Sequence, residues 1–227
     1  GQYNIAILIE EWRKGSKIGS ILRDMQIIIV ACNTSPPYID PIADTCLEAG
    51  DTLVFNATAH QPGGDSLGLT GTGGPFILFD HPATLFKNPA YGMGTVTSVF
   101  TWPTICGHVQ LQPYRVFFKA KNFASPVNQV AIRSMQIRVV GPAPQHLTAI
   151  PLGTSITLNW DIYTCQNAKG FYVYRKPDST GFQPGYCQTG VPPGLGYTKI
   201  ADINDITGTS FVDDNSGNGL GLGYRYC

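Results

Sequence analysis

The chain repeats itself. Residues Arg23-Asp24-Met25-Gln26-Ile27-Ile28-Ile29-Val30 resemble Arg133-Ser134-Met135-Gln136-Ile137-Arg138-Val139-Val140. Upstream, Gln2-Tyr3-Asn4-Ile5-Ala6-Ile7 lines up with Pro113-Tyr114-Arg115-Val116-Phe117-Phe118. The offset is 111 residues for the Tyr3 block and 110 for the Met25 block. Two blocks in the same order at nearly constant spacing mark a repeated structural unit, and a period of about 110 residues is the size of one β-sandwich domain. Each copy reads as a hairpin. In the first, Tyr3–Glu10 and Ile18–Val30 flank a turn at Trp12–Lys17; in the second, Arg115–Ala120 and Gln129–Val140 are joined through Asn122–Asn128. The second hairpin closes a unit that begins near Pro36. The first is therefore expected to close a unit whose earlier strands lie ahead of Gly1. An isolated hairpin is marginal in water, so Tyr3–Val30 is expected to pack on upstream chain or on another polypeptide.

Proline-marked joints divide the rest. Thr34-Ser35-Pro36-Pro37 precedes the middle unit and Gly141-Pro142-Ala143-Pro144 follows it; prolines restrict the chain and act as semi-rigid spacers. The middle unit has strand patterns at Thr52–Ala59, Leu67–Thr70 and Gly94–Thr101 before its closing hairpin, and no helical periodicity beyond about two turns. The last unit opens with Leu147-Thr148-Ala149, then Ser155-Ile156-Thr157-Leu158-Asn159-Trp160, then Gly170-Phe171-Tyr172-Val173-Tyr174-Arg175. A strand ending Leu-x-Trp followed by Phe-Tyr-Val-Tyr-Arg resembles the second and third strands of a fibronectin type III-like sandwich. Gly223-Tyr224-Arg225-Tyr226-Cys227 resembles its sixth, which leaves the seventh missing. Trp102 and Trp160 are expected in the cores. The expected fold class is all-β: tandem antiparallel β-sandwiches, truncated at both ends. Residues 1–33 are the end of an incomplete domain, 36–141 a complete sandwich, and 145–227 a fibronectin type III-like domain without its last strand.

Composition narrows the function. There are 15 basic and 15 acidic side chains, a net charge of zero, so the basic patch that neutralises phosphates is lacking and nucleic-acid binding is not expected. With 43% hydrophobic residues, 11 Tyr, 11 Phe and 3 Trp, the chain is richer in core-forming residues than disordered segments are. No apolar run approaches the roughly 18 residues of a membrane-spanning helix. The six cysteines (32, 46, 106, 165, 187, 227) form no Cys-x-x-Cys pair. The nearest thing to a metal cluster, Cys106-Gly107-His108, supplies two ligands where a closed zinc site needs four. Widely spaced cysteines in a chain of 26 Gly and 17 Pro read instead as disulfides of an oxidising compartment, with connectivity open.

Three motifs imitate sites. Gly64-Asp65-Ser66-Leu67-Gly68 satisfies Gly-x-Ser-x-Gly, but that chemistry needs a helix leaving the serine, and a Gly/Thr-rich stretch follows. Gly219-Leu220-Gly221-Leu222-Gly223 is a loop, because no βαβ unit surrounds it to offer a helix N-terminus to phosphate. Trp12 and Arg13 are candidate partner contacts at a hairpin end; the favoured alternative is that Trp12 caps the sandwich or packs on a neighbouring unit. No catalytic, cofactor or metal residues are assigned.

The residues Ile9-Glu10-Glu11-Trp12-Arg13-x-Gly15, Arg23-Asp24-Met25-Gln26, Cys46-Leu47-Glu48-Ala49-Gly50, Phe100-Thr101-Trp102-Pro103 with Cys106, Gln112-Pro113-Tyr114 and Val140-Gly141-Pro142-Ala143-Pro144 together resemble one family. It comprises the large gliding-motility-associated surface proteins of Bacteroidetes-type bacteria, exported by the type IX secretion system. The resemblance spans nearly the whole chain. It implies tandem Ig-like or cadherin-like modules with a fibronectin type III-like module, display at the cell surface or release from it, and a structural or adhesive role without catalysis. It also implies disulfides Cys46–Cys106 and Cys165–Cys187, leaving Cys227 for a later cysteine, with Cys32 a competitor for Cys46. Related modules often hold calcium in an acidic loop; here that place reads His60-Gln61-Pro62-Gly63-Gly64-Asp65, with one carboxylate, so calcium is not expected. Asp213-Asp214-Asn215-Ser216-Gly217 is acidic enough to ligate a cation weakly, but such runs are more often solvated turns. Asp51-Thr52-Leu53 and Asp65-Ser66-Leu67 fit the short O-glycosylation acceptor of such bacteria, making Thr52 and Ser66 candidate modification sites. The partners implied are other modules of one long chain, outer-membrane or secretion-system proteins, and glycans. Two alternatives stand: a carbohydrate-binding accessory region of a secreted enzyme, and a component bound to an outer-membrane secretion assembly.

Overall fold

Lys14 and Gly15 reverse the chain near its start, with φ of 50° and 80°, values that suit a two-residue hairpin turn. They join β1 (Gln2–Arg13) to β2 (Ser16–Ile28); the reversal is tighter than the sequence suggested, and Trp12 and Arg13 belong to β1. The computed structural model describes residues 1–29, 35–123, 127–177, 182–220 and 223–226. Tyr3 stands opposite Ile27, Ile5 opposite Met25, Ile7 opposite Arg23 and Ile9 opposite Ile21. Because side chains alternate across a strand, these residues share one face. The other face mixes Gln2, Asn4, Glu10, Ser20, Asp24 and Gln26 with Ala6, Leu8, Leu22 and Ile28. Every residue of β1 is exposed, as is nearly all of β2.

The middle sandwich uses β3 (Tyr38–Ile39), β4 (Thr45–Glu48), β5 (Thr52–His60), β6 (Ser66–Gly73), β7 (Thr84–Phe86), β8 (Ala90–Met93), β9 (Thr95–Pro103), β10 (Tyr114–Asn122) and β11 (Val130–Val140). One sheet runs β4-β11-β10-β6-β8 and the other β3-β5-β9-β7. Period-two burial along β9 turns Val96, Ser98, Phe100 and Trp102 inward. Opposite them, Val116, Phe118 and Ala120 of β10 are fully buried. Phe55 stacks on Phe100 at 4.9 Å, and both meet Phe118 edge-on at 5.9 and 6.2 Å. Gly73 lets β6 lie against β10, since a Cβ there would sit 2.2 Å from the Arg115 carbonyl oxygen. All ladders here are antiparallel except β4 on β11. Tyr114 pairs with Ile137, Val116 with Met135 and Phe118 with Arg133, the same pairing as in the β1–β2 hairpin. The sequence repeat is thus a repeat of register.

A smaller pair of sheets follows: β12 (Thr148–Leu152), β13 (Ser155–Asn159) and β16 (Ser210–Asp213) on one side, and β15 (Thr198–Ile203), β14 (Phe171–Pro177) and β17 (Tyr224–Tyr226) on the other. The core is Leu158, Trp160 and Val173, flanked by Ile156, Phe171, Ile203 and Phe211. The two sheets are tied by a buried ion pair. Arg175 Nη1 of β14 donates to both carboxylate oxygens of Asp213 on β16 at 3.0 and 2.9 Å, and Tyr226 Oη of β17 donates to Asp213 Oδ2 at 3.0 Å. Arg175 Nη2 reaches Asn215 Oδ1 at 3.0 Å. Asp213 is therefore no solvated turn residue: it is 4% exposed, its charge compensated as burial requires. Burial, then the Asp213 carboxylate, pushes the Tyr226 phenol well above its ordinary value. The fold class is all-β, a hairpin followed by two sandwiches.

Candidate functional site

The chemistry-bearing residues converge where the two sandwiches meet. Cys46 lies on β4, at the edge of the five-stranded sheet, and Cys106 opens the short 3-10 turn Cys106–His108 that follows β9. Facing them are the loop after β13, which carries Cys165, and the loop between β14 and β15, which carries Cys187. Cys46 is bonded to Cys187 and Cys106 to Cys165. The four cysteines named from sequence are the ones bridged, but their pairing differs from Cys46–Cys106 and Cys165–Cys187. The reason is spatial: the long loops of the last unit lie against the end of the middle one, so each bridge crosses the joint instead of closing within a unit. Cys32 and Cys227 lie outside the described residues.

Hydrogen bonds follow the same route. The Tyr186 hydroxyl donates to Asp51 Oδ2 at 2.7 Å and accepts from the Glu48 amide at 3.3 Å. The Cys187 amide donates to Glu48 Oε1 at 3.1 Å, and Asn167 Nδ2 to the Cys106 carbonyl at 2.7 Å. Arg138 Nη2 meets Thr189 Oγ1 at 3.4 Å. The proline joint is gripped as well: Tyr163 Oη donates to the Pro142 carbonyl at 2.7 Å. Burial and then the Glu48 charge raise the Tyr163 phenol, and burial with the Asp51 bond raises that of Tyr186. Both therefore remain neutral donors well past neutrality. The joint read as a semi-rigid proline spacer is a braced one.

Two apolar clefts adjoin this joint. One, about 250 Å³, is lined by Leu147, Leu158, Trp160, Phe171, Val173 and Tyr226. The other, about 390 Å³, brings together Val109, Pro142, Tyr163, Tyr172, Tyr174 and Gln188. Neither contains a convergent acid, base and nucleophile. Ser66 starts β6 and a strand leaves it, so the Gly-x-Ser-x-Gly match sits at a loop-to-strand entry. Cys106 is in a bridge, and both ring nitrogens of His108 are occupied, Nδ1 by the Ile105 amide at 3.3 Å and Nε2 by the Asp80 carbonyl at 3.0 Å. Neither residue is available to a metal. Among the described residues no three His, Cys, Asp or Glu side chains converge. In the loop after β5, Gln61 is buried and its Nε2 donates to the Ser35 carbonyl at 3.1 Å and to Asp65 Oδ2 at 3.4 Å. Thr52 is exposed at the start of β5, while Ser66 is half-buried. Trp12 is 58% exposed, its indole N–H on Glu10 Oε2 at 3.3 Å, and Arg13 is exposed beside it. Gly221 and Leu222 lie outside the described residues.

The sequence signals for the joint were weak. Nothing in Tyr186-Cys187 or Glu48-Ala49-Gly50-Asp51 announces a contact across more than 130 residues, and no local pattern identifies Arg175 and Asp213 as partners.

No protein-family model matches the chain, and no curated protein matches it. Among solved structures, PapD-like domain 7 of human CEP192 is 8% identical with a TM-score of 0.36, over 51% of this chain and 92% of that one. The SrpA adhesin of Streptococcus sanguinis is 11% identical with a TM-score of 0.34, over 61% of this chain and 92% of the adhesin. The YadV chaperone is 10% identical with a TM-score of 0.32, over 85% of this chain and 91% of that one.

Proposed function

We propose that the chain is a non-catalytic stretch of a secreted bacterial surface protein, a braced series of Ig-like and fibronectin type III-like modules that serves as a structural or adhesive stalk. The observation that carries this reading is the pair of disulfides crossing from one sandwich to the next. Such bridges persist in oxidising, extracytoplasmic compartments. A covalent double link between modules restrains their relative direction, which suits a stalk. The residues that resemble gliding-motility-associated proteins extend the proposal to export by the type IX secretion system. Other modules of the same chain, outer-membrane or secretion-system proteins and glycans are then the partner classes. Two experiments test it. Surface labelling of intact producing cells with antibody to this chain is expected to be positive; confinement to the cytoplasm contradicts the proposal. A hydrolase screen of the purified chain is expected to find no turnover, and turnover abolished by Ser66→Ala overturns the non-catalytic reading.

A second reading, carbohydrate binding, is favoured by one feature. Tyr163, Tyr172 and Tyr174 line the cleft at the joint with Gln188, and aromatic faces beside polar tips suit sugar rings. Binding on a glycan array that is lost in Tyr172→Ala supports this reading; a silent array removes it.

A further inference from the structure

The β1–β2 hairpin and the β10–β11 hairpin are the same object in two environments. Their registers coincide pair for pair: Tyr3–Ile27 with Tyr114–Ile137, Ile5–Met25 with Val116–Met135, and Ile7–Arg23 with Phe118–Arg133. In the second copy Val116, Phe118 and Ile137 are fully buried and Met135 is 2% exposed. In the first, Ile5, Ile7, Met25 and Ile27 are 43, 47, 47 and 39% exposed. What covers the second copy is on view: the aromatic face of β5 and β9 lies over it, β6 pairs antiparallel with β10, and β4 pairs parallel with β11.

We propose that the Tyr3–Ile9/Ile21–Ile27 face is the receiving half of a further sandwich, filled by the complementary layer of an Ig-like module. That layer lays two aromatic-bearing strands across Ile5, Ile7 and Met25, and its edge strands run antiparallel to β1 and parallel to β2. A long two-stranded ribbon whose Tyr3–Ile9/Ile21–Ile27 face is apolar except at Arg23, and whose two strands pair only with each other among the described residues, is a template for strand addition. A second copy of this chain does not fit the face. Its own aromatic layer is already occupied by β10–β11, so it could offer only another bare hairpin, and two such faces pressed together would bring Arg23 against its like. In the middle sandwich the matching Arg133 is exposed. The proposal rests on the tandem-module reading, but not on surface display or adhesion.

The test extends the full chain with a copy of residues 36–112 joined ahead of Gln2, reproducing the connection that leads into Tyr114. Amide exchange of residues 3–9 and 21–27 is expected to slow by roughly 100-fold relative to the parent chain, with the extended chain monomeric. Met25→Asp in the extended chain should return those amides to the parent's rate while β10 and β11 stay protected. Unchanged exchange in the extended chain, whether or not the added layer folds, overturns the proposal, as does a parent chain whose hairpin is already protected in a dimer. Surface labelling and the hydrolase screen read the stalk proposal separately, so the failure of one is distinguishable from the failure of the other.

Discussion

Cys46 on β4 is bonded to Cys187, 141 residues further along the chain and in the other sandwich, with their Cα atoms 6.2 Å apart. The neighbouring Glu48 and Asp51 hold Tyr186 and the Cys187 amide, so the bridge anchors one side of the joint while Cys106–Cys165 anchors the other. A link between distant residues removes many conformations from the unfolded chain, and two links on either side of the joint restrain how it bends.

Removing the bridges should therefore have two effects. Cys46→Ser with Cys187→Ser is expected to cost about 2–4 kcal/mol of stability, the usual worth of a native disulfide. Small-angle scattering should also show a broader distribution of lengths once both bridges are reduced. An unchanged scattering profile after full reduction would show that the hydrogen bonds alone fix the joint.

Arg175 and Asp213 predict an asymmetry. Arg175→Ala leaves a carboxylate 4% exposed without its cation, and breaking a buried pair from one side costs about 3–5 kcal/mol. The same substitution at Lys199, whose pairing with Asp202 is exposed, should leave stability nearly unchanged. Equal effects in chemical denaturation would contradict the structure.

The repeated hairpins allow an internal control. Phe118→Ala removes a fully buried ring and is expected to cost about 3–5 kcal/mol. Ile7→Ala, at the matching register position but 47% exposed, should change the stability of this chain by about 0.5 kcal/mol or less.

His146 lies 2.6 Å from Asp161, both exposed. The hydrogen bond to Asp161, then its charge, raises the imidazole above its ordinary value. A raised folded-state pKa means that the contact stabilises the protonated form: its contribution is complete below the unfolded value and fades as pH rises through the folded one. Proton NMR of the His146 ring should titrate at lower pH in Asp161→Asn. An identical midpoint in both proteins would mean that the contact is absent in solution.

Much of the fold was legible in the residues because it rests on alternation. The Tyr3 and Met25 blocks mark the repeated hairpin, and Leu-x-Trp with Phe-Tyr-Val-Tyr-Arg marks β13 and β14. Strands of two to four residues, such as β3, β4, β7 and β8, are too short to show a period and were not seen. The hairpin turn was placed too broadly because Lys14 takes a positive φ that its side chain does not advertise. The joint was hidden for a different reason. Its contacts depend on how two separately patterned units meet, and a cysteine carries no mark of which unit its partner occupies. Reading each bridge as internal to one module gave the right residues with the wrong partners.

Two disulfides staple the modules to each other. Peptide mapping by mass spectrometry under non-reducing conditions tests this directly. Linked peptides containing Cys46 with Cys187 and Cys106 with Cys165 are the expected result; linkage of Cys46 with Cys106 and of Cys165 with Cys187 would leave the two sandwiches covalently joined only through the chain at Gly141–Pro144 and would contradict this arrangement.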